Sequence, residues 1–177
     1  HKLLASKLLL FIRNILFDRS NYKILSFFCK KMKVEGTHEI HFPIDRTWNF
    51  LIDPHLIGKL IPNISAIEKL REDVYLVSGN LNISGFSGML SGTLHIHKKN
   101  EPKSFTVDIS QEGKWGVLSA SIDFVLTESS PNDTLANYNV QLKLPLLVKS
   151  MIGNKIKELI HQNATAFFQL LNDQKSD

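Results

Sequence analysis

Seven histidines and one cysteine bound the chemistry open to this 177-residue chain. His95 and His97 stand two apart, and on a strand that spacing points both side chains to one face. Leu94 and Ile96 hold the apolar positions of the same stretch, so the imidazoles face outward. No third ligand accompanies them to complete a zinc site. Glu158 and His161 have the Glu-x-x-His spacing of half a di-iron site, which would need a second such motif and further glutamates. A His/His/carboxylate set for mononuclear iron is not visible either. The residues predict no metal site and no cofactor.

Nucleophilic catalysis fares no better. Cys29 lies in a basic stretch with no histidine in a recognisable context, and as the single cysteine it excludes an internal disulfide. Gly85-Phe86-Ser87-Gly88 is followed by strand rather than helix, unlike a nucleophile elbow. Gly79, Gly85 and Gly88 precede no helix, so no phosphate cradle forms. These absences predict a protein that is not an enzyme. Two polar groups do fall on inward-facing strand positions, His38 and Tyr138. They suit either a ligand pocket with a few polar anchors or an ordinary core in which each is hydrogen-bonded. Trp115, in a loop, either gates a pocket or caps the core.

The elements that carry these residues follow from periodicity. From Lys33 apolar residues alternate (Val34, Ile40, Phe42), as on a half-buried strand. Pro43-Ile44-Asp45 opens a helix with Asp45 as N-cap, and Asp53-Pro54 ends it and starts a second short helix before Pro62. A meander follows, with a short strand near Ile64–Leu70 and then Tyr75–Ile83, Leu90–Ile96, Phe105–Ile109, Leu118–Leu126 and Ala136–Leu144. One face is apolar and the other wet, as antiparallel sheets commonly are. After Pro145 the period changes to that of a helix through Val148, Ile152, Ile156, Leu159, Ile160, Phe167 and Leu171. Over residues 146–171 it would be about 39 Å long. A sheet with one apolar face and one long amphipathic helix buries both by wrapping around it. The fold class is α+β.

Composition is that of a globular protein, 43% hydrophobic and 21% charged. The net charge of +4 is unevenly placed. Residues 1–31 carry seven Lys/Arg against Asp18 alone, and the remainder is slightly acidic. A nucleic-acid footprint needs basic residues clustered on the folded surface, so nucleic acid is not an expected partner. Four Asn-x-Ser/Thr triplets, at Asn63, Asn82, Asn132 and Asn163, read as chance in the absence of an export signal. As a helix, residues 3–17 place Leu4, Leu8, Phe11, Ile12 and Ile15 on one face. Lys7 and Arg13 break the run, leaving it too short to span a membrane, and no small-residue cleavage site follows. Such a segment lies on a membrane surface, docks on a partner, or packs on its own domain or a second copy. Alternatively Met32 is the natural start and residues 1–31 are upstream sequence. The expected organisation is an extension over 1–31, a domain over 32–172 and a polar tail over 173–177.

The order of motifs resembles the CoxG-like family, named for a component of carbon monoxide dehydrogenase, within the START/SRPBCC helix-grip superfamily. Met32-Lys33-Val34-Glu35-Gly36 is similar to the family opening. Trp48, Asp53-Pro54 and Ile61-Pro62-Asn63 follow, and then Asp73-Val74-Tyr75 and the glycine-spaced Gly85-Phe86-Ser87-Gly88-Met89-Leu90-Ser91-Gly92. The resemblance spans about 140 residues. It departs from family pattern at Gln111–Gly116 and at Pro145-Leu146-Leu147, two regions that border the cavity in the superfamily.

The resemblance implies a curved sheet of about seven strands closed by the C-terminal helix, Bet v 1-like. It implies a non-catalytic binding or accessory protein for an apolar ligand, lipid or quinone-like. It further implies support for membrane recruitment or maturation of a molybdenum hydroxylase. The expected cavity lining is Trp48, Ile57, Tyr75, Val77, Phe105, Val107, Ile122, Phe124, Tyr138, Ile152, Ile156 and Ile160. His38 is the polar anchor, and Phe86 and Trp115 stand at the entrance. The expected location is cytoplasmic, peripheral at the inner face of the membrane through residues 1–31. Two alternatives stay open: a protein–protein adaptor with a vestigial pocket, and an enzyme acting on a hydrophobic substrate.

Overall fold

A computed structural model describes residues 29–60, 64–83, 86–113 and 116–173. Alternating side chains build seven strands: β1 (Cys29–Ile40), β2 (Ile64–Arg71), β3 (Val74–Ile83), β4 (Phe86–Asn100), β5 (Ser104–Gly113), β6 (Gly116–Ser130) and β7 (Asp133–Pro145). They form one antiparallel sheet in the order β1-β7-β6-β5-β4-β3-β2. The strands from β2 to β7 pair with their chain neighbours, and β1 closes beside β7. β1 begins at Cys29, opposite Pro145, so the strand takes in the last three residues of the basic stretch.

Two short helices, α1 (Ile44–Leu51) and α2 (Pro54–Leu60), follow β1, and α3 (Leu146–Asp173) ends the fold. Asp45 does not cap α1. Pro43 holds that position without a side-chain cap, and Asp45 sits in the first turn, where its charge meets the positive end of the helix dipole. The carboxylate that receives a backbone amide is Asp53, whose Oδ1 accepts from His55 N at 2.8 Å. Pro54 follows it in the first helical turn, where proline is tolerated because that N–H would be unpaired.

The long helix runs alongside β1 and is tied to it at both ends. Lys149 Nζ donates to Lys31 O at 2.9 Å near its start. At its end Asn172 Nδ2 donates to Glu39 O at 3.0 Å and Asn172 Oδ1 accepts from His41 N at 2.9 Å. The concave face of the sheet carries the main core, which includes Val34, Ile40, Leu94, Val107, Phe124, Tyr138 and Phe168. Val148 and Ile152, in the first turns of α3, form a second, separate cluster. Among the described residues no helix is long and apolar enough to cross a membrane.

Candidate ligand-binding site

The two ends of the concavity differ. At one end α1 and α2 plug the sheet with Trp48, which meets Phe105 edge-on at 5.3 Å. Phe105 in turn stacks on Phe124 at 4.8 Å. Thr134 Oγ1 and Thr47 Oγ1 both donate to Phe42 O and tie this end shut. Trp48, Ile57, Val77, Phe105, Val107, Ile122, Phe124 and Tyr138 are all buried in the main core.

Toward the other end, where Glu112, Val117 and Pro145 lie, the inner face opens. Along β6 the inward residues Leu126, Phe124 and Ile122 are buried, whereas Ala120 and Leu118 are half-buried. Opposite them Ile156 and Ile160 of α3 are also half-buried. Leu118 and Ile156 border both the main core and the Val148–Ile152 cluster, so apolar side chains edge the break between the two. Tyr75, half-buried on β3, packs at the margin of the main core.

The polar groups gather where α3 crosses β1 and β7. His38 stacks on Phe168 at 4.5 Å and on Tyr138 at 5.9 Å between ring centroids. Tyr138 Oη lies 3.3 Å from His161 Nδ1. Burial, and next the nearby charge of His161, hold the His38 imidazole below its usual pKa. Burial alone pushes the Tyr138 phenol up. Both shifts disfavour charge, as desolvation does. Sequence spacing pairs His161 with Glu158 and hides its link to Tyr138, since that contact joins residues 23 apart.

A further inward polar residue, Gln111, stands beyond the strand expected at Phe105–Ile109. It lies on β5 in line with Phe105, Val107 and Ile109, facing the concavity. On the outer face His95 and His97 stack at 4.8 Å, and His97 Nε2 lies 2.8 Å from Asp108 Oδ2. Ser121 Oγ donates to the same carboxylate at 2.6 Å. Among the described residues no group of three or more His, Cys, Asp or Glu is placed to hold a metal ion. The side chain of Phe86, and Leu4, Leu8, Phe11, Ile12, Ile15 and Trp115, lie outside the described residues.

Comparison with known proteins agrees with this architecture. A conserved protein from Geobacillus kaustophilus superposes with a TM-score of 0.68 at 19% identity, covering 80% of this chain and 96% of that one. A START superfamily protein from Mycobacterium smegmatis gives 0.54 at 17% identity, over 78% and 98%. A norcoclaurine synthase point mutant from Thalictrum flavum gives 0.60 at 11% identity, over 84% and 98%. At these identities the likeness establishes the fold alone, and an enzyme among the neighbours carries no chemistry across. A search of curated proteins found no match. The family model for the CoxG subunit of carbon monoxide dehydrogenase matches residues 36–176. With a START-like sheet closed by its C-terminal helix and that match over most of its length, the chain belongs to the CoxG family.

Proposed function

We propose that this protein binds an apolar small molecule, lipid or quinone-like, in the concavity between sheet and α3, and acts as a non-catalytic accessory module. The observation that carries the reading is the change along β6 from buried Ile122 and Phe124 to half-buried Ala120 and Leu118, facing half-buried Ile156 and Ile160. Apolar surface left facing itself across a gap costs hydration free energy that a ligand relieves. A ligand burying ~300 Å² gains about 7 kcal/mol at ~25 cal/mol/Å². Association costs several kcal/mol of that, which leaves about millimolar binding for a ligand of that size, and tighter binding takes a larger buried apolar area. Trp48, Phe105 and Phe124 form the floor, and His38 with Tyr138 supplies the polar wall. Native mass spectrometry and organic extraction of the purified protein test this. A co-purifying lipid or quinone supports it, and an empty protein that takes up none overturns it.

Loading at a membrane is part of the same reading. Met89 is 76% exposed and Met151 62%, and Val117 and Leu146 are also exposed. Three of these four (Met89, Val117 and Leu146) fall at the open end of the sheet, and Met151 lies one turn into α3. Lys31 and Lys143 are directly opposed across the β1–β7 ladder, an arrangement that costs stability unless an anion meets it. The α3 segment 146–157 adds Lys149, Lys155 and Lys157 with no acidic residue. Exposed apolar side chains beside unopposed lysines suit an anionic leaflet. The family's name points to a molybdenum hydroxylase as client, and pull-down of such an enzyme tests that partner. A pocket-filled variant that still captures the client would favour an adaptor role.

A further inference from the structure

We propose that residues 3–17 of this chain cover the mouth of its own concavity in solution, competing with the ligand, and leave it for an anionic leaflet. The inference rests on the pocket reading above and adds its regulation. The described chain starts at Cys29, which pairs with Pro145 at the open end, beside the first residue of α3. Residues 1–28 therefore join the domain at the mouth and not at the plugged end. The apolar side chains there are Leu118 and Ala120 of β6, with Ile156, Leu159 and Ile160 of α3, all half-buried. Leu118, Ile156 and Leu159 pack against the Val148–Ile152 cluster, and Leu146, next to Pro145, is 43% exposed. Apolar surface of this kind marks a place that something covers.

The segment matches the mouth in pattern and size. Leu4, Leu8, Phe11, Ile12 and Ile15 share one face at helical period, and from first to last they span about 16 Å at that rise. From β1 through β7 and β6 to β5 the mouth is three strand spacings wide, about 14 Å. Residues 18–28 make the connection, with a reach of up to roughly 36 Å, enough to turn back across it. A short tether holds its end at about millimolar effective concentration. A contact of only ~0.1 mM intrinsic strength then closes the mouth about nine-tenths of the time. A separate partner of that strength would have to be present near millimolar levels. Lys7 and Arg13 fall on the other side of the segment, so docking leaves them in water beside Lys149, Lys155 and Lys157. Closure thus gathers like charges, which weakens it, and an anionic leaflet that receives both sets of cations opens it.

The test uses the full chain and N-phenyl-1-naphthylamine, a neutral apolar probe, followed by fluorescence in buffer without lipid. Leu8→Asp with Phe11→Asp is expected to bind the probe about tenfold more tightly than the unsubstituted protein, the effect of losing a competitor in place nine-tenths of the time. Lys7→Gln with Arg13→Gln keeps the apolar face and is expected to bind no more tightly than the parent. A spin label on Asn14→Cys, with Cys29→Ser removing the native thiol, should broaden the Ile156 and Ile160 methyl signals of its own molecule. Bicelles containing phosphatidylglycerol should relieve that broadening. Equal probe affinity of the aspartate variant and the parent overturns the inference, as does the absence of broadening. So does broadening that arises only from a label on another copy, or that persists with the anionic bicelles. Probe bound by neither protein overturns the pocket reading itself and the inference with it.

Discussion

Tyr138 lies across Gly36, its cross-strand partner, so closely that a Cβ on Gly36 would stand 2.6 Å from the phenol Cζ. The absent side chain lets the ring lie flat over β1, with its hydroxyl directed to His161 on α3. One glycine thereby sets the spacing between the sheet edge and the closing helix. Gly36→Ala is expected to destabilise the fold by about 1–3 kcal/mol through overpacking. Alanine ordinarily improves a strand interior by roughly 0.5–1 kcal/mol. Urea unfolding of the two proteins decides the sign, and a stabilised variant would show that Tyr138 moves aside freely.

His38 predicts a pH dependence. Its folded pKa is lowered from 6.5 by burial and by His161, so the unfolded chain binds the proton more readily. Above pH 6.5 both states are neutral there and the residue costs nothing. As pH falls through 6.5 toward the lowered folded value, the unfolded state takes up protons first and stability falls. Thermal unfolding at about pH 7.5 and about pH 5, either side of that range, should therefore show a smaller loss of Tm in His38→Gln than in the unsubstituted protein. An equal loss in both would assign the acid sensitivity to other groups.

Filling the mouth separates an open concavity from a packed core. Ala120→Phe places a ring between Ile109 and Leu142, its neighbours on β5 and β7. In a closed core this costs about 1–3 kcal/mol. In an open one it leaves Tm unchanged or higher and abolishes uptake of the co-purifying ligand, as measured by extraction. A large loss of stability with ligand retained would contradict the pocket.

The exposed rim predicts lipid dependence. Co-sedimentation with vesicles containing phosphatidylglycerol should exceed that with phosphatidylcholine alone, and salt should weaken it. Met89→Ser with Met151→Ser and Lys143→Glu should lower it severalfold without changing unfolding. Removal of residues 1–28 should also lower binding while unfolding stays cooperative. Binding indifferent to the three substitutions would place the contact in the extension alone.

Period decided the frame of this protein in advance. Alternation from Lys33 and the change of period at Pro145 are local properties of consecutive residues, so seven strands and the closing helix were legible without coordinates. The inward parity of His38, Tyr138, Phe105 and Phe124 was legible for the same reason. Which inward residues meet one another was not. Tyr138 reaches His161, Asn172 ties α3 to Glu39, and Lys149 ties it to Lys31 through pairs more than 20 residues apart. Parity names a face but does not say what covers it. Trp48, Phe105 and Phe124 therefore looked the same in sequence as Leu118 and Ala120, although the folded chain buries the first three and only half-buries the last two.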